Sequence, residues 1–151
     1  MKLGYGSLVI SLGIALSGCN IFSVQGQGFG RTSATCGSGV GCNVQVQVLV
    51  PAGLRCYLKV NVDELGVTGS SPATILWTLD PASQTAGYRF AQVVGVVFAD
   101  AQFSNAPHTD GKTFAVIDAK TRAGQFKYTV NVIGPNGLSY CTALDPFIYN
   151  Q

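Results

Sequence analysis

Few side chains in this sequence are equipped for chemistry. The 151 residues include five cysteines, one histidine and one tryptophan. Cys19, Cys36, Cys42, Cys56 and Cys141 form no Cys-x-x-Cys pair, so no zinc site or dithiol redox motif is spelled out. His108 stands in Asn105-Ala106-Pro107-His108-Thr109-Asp110. A general base needs a nucleophile or partner within hydrogen-bond reach, and no Gly-x-Ser-x-Gly elbow occurs. His108 therefore reads as an exposed loop residue. Asp63, Glu64, Asp100, Asp110 and Asp118 fall at expected strand ends and loops. Their oxygens suit calcium, but EF-hand spacing is absent and turn formation explains them equally well. Glu64 is the only glutamate, which argues against a paired-carboxylate glycosidase. No catalytic residue, metal or cofactor is expected.

Charge narrows the partners. Lys and Arg total 9 against 7 for Asp and Glu, a net +2, and charged residues make up 11% of the chain. Soluble proteins average about 25%. So sparse and balanced a set excludes an electrostatic nucleic-acid surface.

The N-terminus carries an address. Lys2 is followed by an apolar stretch from Leu8 to Leu16 and then Ser17-Gly18-Cys19. This is the layout of a secretory signal peptide, too short for the roughly 17–25 apolar residues of a membrane span. Leu16-Ser17-Gly18-Cys19 resembles a bacterial lipobox, which implies cleavage before Cys19 and its lipidation. Two alternatives compete. Signal peptidase I could cut after Ser17, since Ala15 and Ser17 are small, or the stretch could remain as a weak anchor. An odd cysteine count in an exported chain favours lipidation, because it leaves an even four. Asn20 follows the cysteine where an Asp retains Gram-negative lipoproteins at the inner membrane. The resemblance thus implies an exported protein held by lipid at the outer membrane or cell surface.

The remaining cysteines permit three pairings, and sequence alone does not choose among them. We favour Cys36–Cys42, closing a short Gly-rich loop, and Cys56–Cys141, tying the second strand to the last.

These groups must be positioned by β-structure. Residues 19–41 are Gly- and Ser-rich and read as a flexible tether, which leaves 42–151 as the domain. Val44, Val46, Val48 and Val50 alternate with polar neighbours, as do Leu54, Cys56, Leu58, Val60 and Val62 beyond the Pro51-Ala52-Gly53 turn, predicting a hairpin. After a polar loop at 63–72, strands are expected at Ala73–Leu79, Tyr88–Phe98 (with Gly95 as a bulge), Lys112–Asp118 and Phe126–Val132. A return follows the Gly134-Pro135-Asn136-Gly137 turn, and 100–111 reads as a loop. The pattern predicts an all-β, antiparallel sandwich of about seven strands.

Ala123-Gly124-Gln125-Phe126-Lys127-Tyr128-Thr129-Val130 resembles the penultimate strand of immunoglobulin-like domains. The likeness implies that Tyr128 forms a corner bonded to backbone and that Trp77 is the core tryptophan. Val130 stands where antibody-type domains carry a cysteine, so the resemblance is to the wider sandwich class. Leu79-Asp80-Pro81 and Leu144-Asp145-Pro146 resemble strand-ending motifs of small bacterial Ig-like proteins, a likeness that brings no activity with it. Asp-Pro could mark a ligand, though a strand cap is the plainer account. Among Tyr57, Tyr88, Phe103, Tyr140 and Tyr149 some face outward, and Tyr57 with its neighbours is the expected contact surface.

The functional expectation is a non-catalytic binding or structural module on the envelope. It would engage another envelope protein, a glycan or a second copy. The alternative is a lipoprotein inhibitor of a hydrolase such as lysozyme, probing with loop 100–111.

Overall fold

A computed structural model of the chain describes residues 32–37, 40–52, 55–106, 110–137 and 140–151. The expected signal peptide, Cys19, most of the tether and His108 lie outside them. The strands are β1 (Ser33–Cys36), β2 (Cys42–Leu49), β3 (Tyr57–Val60), β4 (Glu64–Val67), β5 (Ala73–Leu79), β6 (Arg89–Phe90), β7 (Val96–Phe98), β8 (Phe103–Asn105), β9 (Thr113–Asp118), β10 (Gly124–Val130), β11 (Val132–Ile133) and β12 (Phe147–Asn150). One short helix, α1 (Pro81–Thr85), interrupts them.

The fold is all-β and sandwich-like. One five-stranded sheet runs β1-β4-β12-β10-β7, the other β3-β2-β5-β9-β8, and β11 pairs separately with β6. Period-two alternation builds the core. Val44 and Val46 of β2 are buried while Asn43, Gln45 and Gln47 face solvent, and β5 buries Ile75, Trp77 and Leu79 on one side. Trp77 crosses the interior to Tyr128 of β10 and Phe98 of β7, with ring centroids 5.2 and 6.1 Å away. Phe98 stacks on Phe103 of β8 at 3.9 Å. Aromatic rings therefore join the two neighbouring edge strands, β7 and β8.

Several expectations need correction. The sheets are mixed rather than antiparallel, because β1 and β12 both run parallel to β4, and β2 runs parallel to β5. The cause is connectivity. The chain passes from one sheet to the other between β1 and β2, β3 and β4, and β4 and β5, so strands brought side by side are not hairpin-linked. The polar segment 63–72 contains β4, whose Leu65 and Val67 are buried. Inside the expected tether, β1 pairs with β4, so the domain includes residues before Cys42. The strand expected at 88–98 is two short strands, β6 and β7, and the loop 100–111 contains β8.

Asp80-Pro81 does end β5, by starting α1. The Asp80 carboxylate accepts from the Ser83 amide and Pro81 occupies the first turn.

Cys36 is bonded to Cys42, linking β1 to β2 and so one sheet to the other. Cys56 is bonded to Cys141 across 85 residues of sequence. At that junction the Cys141 amide donates to Val132 O at 3.0 Å, and the Thr142 amide donates to Cys56 O at 2.9 Å. The covalent bond thus reinforces a point where the segment returning from β11 already meets the start of β3. Replacing Cys56 and Cys141 together by Ala should cost about 2–5 kcal/mol. The thermal midpoint should fall by roughly 10 °C or more in a circular-dichroism melt. Removing Cys36–Cys42, which closes a separation of 6 residues, should cost less.

Candidate functional site

Where β6 and β7 face β10 and β11, the ladder is broken unevenly. Phe90 is opposite Val132 and Val96 is opposite Val130. Between these pairs the β6–β7 side holds residues 91–95, whereas the partner side holds only Asn131. The extra residues bulge outward. Gln92 is exposed, Val93 is 75% exposed and Val94 is 43% exposed.

Asn131 holds the bulge with three groups. Its amide donates to Gly95 O at 2.8 Å, its carbonyl accepts from the Ala91 amide at 3.2 Å, and its Nδ2 donates to Val94 O at 2.7 Å. From β8, Asn105 Nδ2 donates to Val93 O at 3.0 Å. Both valine carbonyls, left unpaired by the broken ladder, are therefore satisfied by side chains from β8 and from the residue joining β10 to β11. Gly95 closes the bulge because nothing larger fits. A Cβ there would lie 2.5 Å from the Phe114 ring and 2.8 Å from Ala91 O. The result is a fixed turn presenting apolar side chains, an arrangement that bulges commonly provide beside binding sites.

Beside the bulge lies an open hollow of about 380 Å³. Val93, Val94, Phe90, Ile133, Tyr140 and Arg89 are among the residues that line it. Tyr140 is 57% exposed. A larger depression of about 500 Å³ elsewhere is lined mainly by Gly, Ser, Thr and Pro, including Gly37, Ser70 and Pro72, and holds no charged side chain. The hollow beside the bulge combines apolar side chains with a phenol and a cation.

Of the residues singled out in the sequence, Gly95 and Tyr140 fall at this site and the others elsewhere. Tyr140 joins the hollow, whereas Tyr57 is exposed on β3 beside Thr142 and Leu49. Phe103 belongs to the aromatic seam, packed edge-on to Phe126 with ring centroids 5.2 Å apart. The acids shape the backbone. Asp63 accepts from Thr32 N and Oγ1, Asp100 from Gln102 N, Asp110 from Lys112 N, and Asp118 from Lys120 N. Asp100 also pairs with Arg122. Among the described residues, no three His, Cys, Asp or Glu side chains come together as a metal site would require. Tyr128 is buried, but its Oη makes no hydrogen bond, so the expected tyrosine corner is not formed. Burial pushes that phenol well above its ordinary range, and it stays protonated.

The second Asp-Pro motif is structural too. Asp145 meets Lys127 Nζ at 2.9 Å and Thr129 Oγ1 at 2.8 Å, both on β10. The hydrogen bond from Lys127, then that from Thr129, holds the Asp145 carboxyl below the usual carboxylate range.

Gly95 is expected as a bulge and lies in one, but the bulge's length and the asparagines that hold it are not legible in the sequence, because Asn105 and Asn131 lie apart from Val93 in the chain. A signal was present nonetheless. Val93-Val94-Gly95-Val96-Val97 places apolar residues in adjacent pairs, which a strand of period two cannot send to one face. No protein-family model matches the chain, and no curated protein matches it.

Asn131→Ala should cost about 1 kcal/mol through the lost side-chain bond and speed amide hydrogen exchange across residues 91–95. Gly95→Ala should cost about 1–3 kcal/mol by overpacking against Phe114, read from a denaturant melt. For Asp145, a lowered folded pKa means stabilisation that is present at neutral pH and lost as pH falls through that pKa. This pair is exposed, so Asp145→Asn should change neutral stability little and flatten the acid limb of the stability profile.

Proposed function

We propose that this protein is a non-catalytic binding module of the bacterial envelope, lipidated at Cys19 and exported by residues 1–18. Its immunoglobulin-like sandwich presents the Val93–Val94 bulge to a protein partner. The bulge carries this reading. Two adjacent valines stand in water on a turn whose carbonyls are tied by Asn105 and Asn131. Exposed apolar groups held in a fixed geometry lose little conformational freedom on contact, which favours tight and specific binding. Export is supported by the two disulfides, which form and persist in oxidising compartments. The Ig-like reading draws on the buried Trp77 packed against Tyr128 between two sheets.

A second reading is favoured by the rigidity of the same turn. An inhibitor of an envelope hydrolase such as lysozyme would insert Val93 and Val94 into a cleft, using the bulge rather than loop 100–111. Inhibition at nanomolar concentration would single it out.

A photocrosslinking amino acid at position 93, introduced in the native host, should give one dominant adduct. The same group at Gln47, on the outer face of β2, should give none. A Cys19→Ser variant should be released from the membrane fraction and lose palmitate labelling. Equal crosslinking from both positions, or none from position 93, would remove the bulge as the contact surface.

A further inference from the structure

We propose that the sandwich stands on its membrane with the bulge end toward the lipid, so that the partner of Val93 and Val94 is another protein seated in the same membrane. This rests on the lipidation and interaction readings above and adds the direction in which the contact surface faces.

Strand direction is the basis of the inference. Ser33 of β1, Glu64 of β4, Phe147 of β12 and Lys127 of β10 form one row across their sheet. From that row β1, β4 and β12 run one way and β10 runs the other. The start of β1, where the chain arrives from Cys19, therefore points to the same end as the finish of β10. Val130 lies three residues beyond Lys127, and Asn131, which holds the bulge, lies four. The bulge thus stands about 10–13 Å past the row at which the chain enters. The opposite end, reached by Cys36, Val67 and Asn150, lies about 10 Å on the other side of that row.

Only residues 20–31 separate Cys19 from Thr32, the first described residue. A chain of that length spans at most about 45 Å. Its shortest course from Thr32 to the lipid passes the bulge end. With the opposite end down, the same few residues would have to double back along the sandwich.

The surface agrees with this direction. Of the large apolar side chains exposed among the described residues, Val50, Tyr57, Val93, Val94 and Tyr140 lie at the bulge end. Leu49 is opposite Tyr57, Tyr57 bridges to Thr142 and Tyr140 bridges to Ile133, which puts all of these beyond Val130. Charge favours protein over lipid as their cover. Anionic headgroups are gripped by clusters of roughly 4–8 basic residues. This end offers Arg55 and Arg89, with Asp110 next to the Gly111 that accepts from the Phe90 amide.

Two measurements on the full-length lipidated protein test the proposal. The first uses vesicles whose headgroups carry an acceptor dye. Energy transfer from a donor dye at position 93 should be about twofold or more stronger than from one at Ser70, in the loop between β4 and β5, since about 20 Å of β10 separates the two ends. The second, in the native host, places a stiff spacer of four EAAAK repeats after Gly26, about 30 Å long. It should cut the position-93 crosslink about tenfold, with the membrane-bound fraction unchanged. Equal transfer, or stronger transfer from Ser70, would overturn the proposal. So would undiminished crosslinking with the spacer, a soluble protein, a lipid or a second copy as the adduct, or a Cys19 without lipid. The readings can fail separately. If position 93 crosslinks a protein but transfer favours Ser70, the orientation alone falls. If transfer favours position 93 but no protein adduct forms, the interaction reading falls and takes the membrane partner with it.

Discussion

The fold is centred on Trp77, which bridges its two five-stranded sheets. The indole leaves β5, crosses the interior and meets Tyr128 edge-on, with Phe98 beyond it. Truncating such a side chain costs about 3–5 kcal/mol in typical cores, a large share of a small domain's total stability. The chain of rings continues outward through Phe103 to Phe126, which Arg122 approaches at 5.8 Å. Packing against these rings outweighs one local penalty. Trp77 Nε1 and Tyr128 Oη are both buried without a hydrogen-bond partner, so the rings hold their places through area and shape.

That frame makes the bulge possible. Val130 and Val96 are fully buried on either side of the break, as are Val132 and Phe90 beyond it. Because both flanking pairs are anchored in the core, the register on each side of residues 91–95 is set, and the extra residues have only one direction to go. Asn131 then converts a slack insertion into a defined turn. Cys56–Cys141 holds the neighbouring segment, so Tyr140 is fixed relative to Ile133 as well. Rigidity at the hollow is inherited from two sources, a covalent tie on one flank and apolar burial on the other.

How far the sequence could be read follows from where each signal lies. β2, β5, β9 and β10 were legible because several alternating residues fall within one strand, and period two needs no knowledge of neighbours. The disulfide partners were legible in part, since Cys56 sits on an apolar face and Cys36 lies close to Cys42 along the chain. β4 was not, because Glu64-Leu65-Gly66-Val67 holds just two buried positions and a glycine. Its strand identity comes from β1 and β12 pairing on both sides. The mixed direction of the sheets was equally hidden, being a property of how connections cross between layers rather than of any segment. The bulge was marked by Gly95, but its five-residue extent needed long-range information of the same kind. Nothing in the segment itself shows that Asn105 and Asn131 are brought to the carbonyls of Val93 and Val94.

The bulge is also more than a connection requires. β6 could continue into β7 as one uninterrupted strand, the arrangement their shared partner β10–β11 invites. Interrupting it leaves two valines largely in water, forgoing about 25 cal/mol for each Å² of apolar surface not buried. It also occupies two asparagines and obliges residue 95 to be glycine. A feature that lowers the stability of the isolated domain, yet is held in place by three separate elements, points to a surface completed by contact.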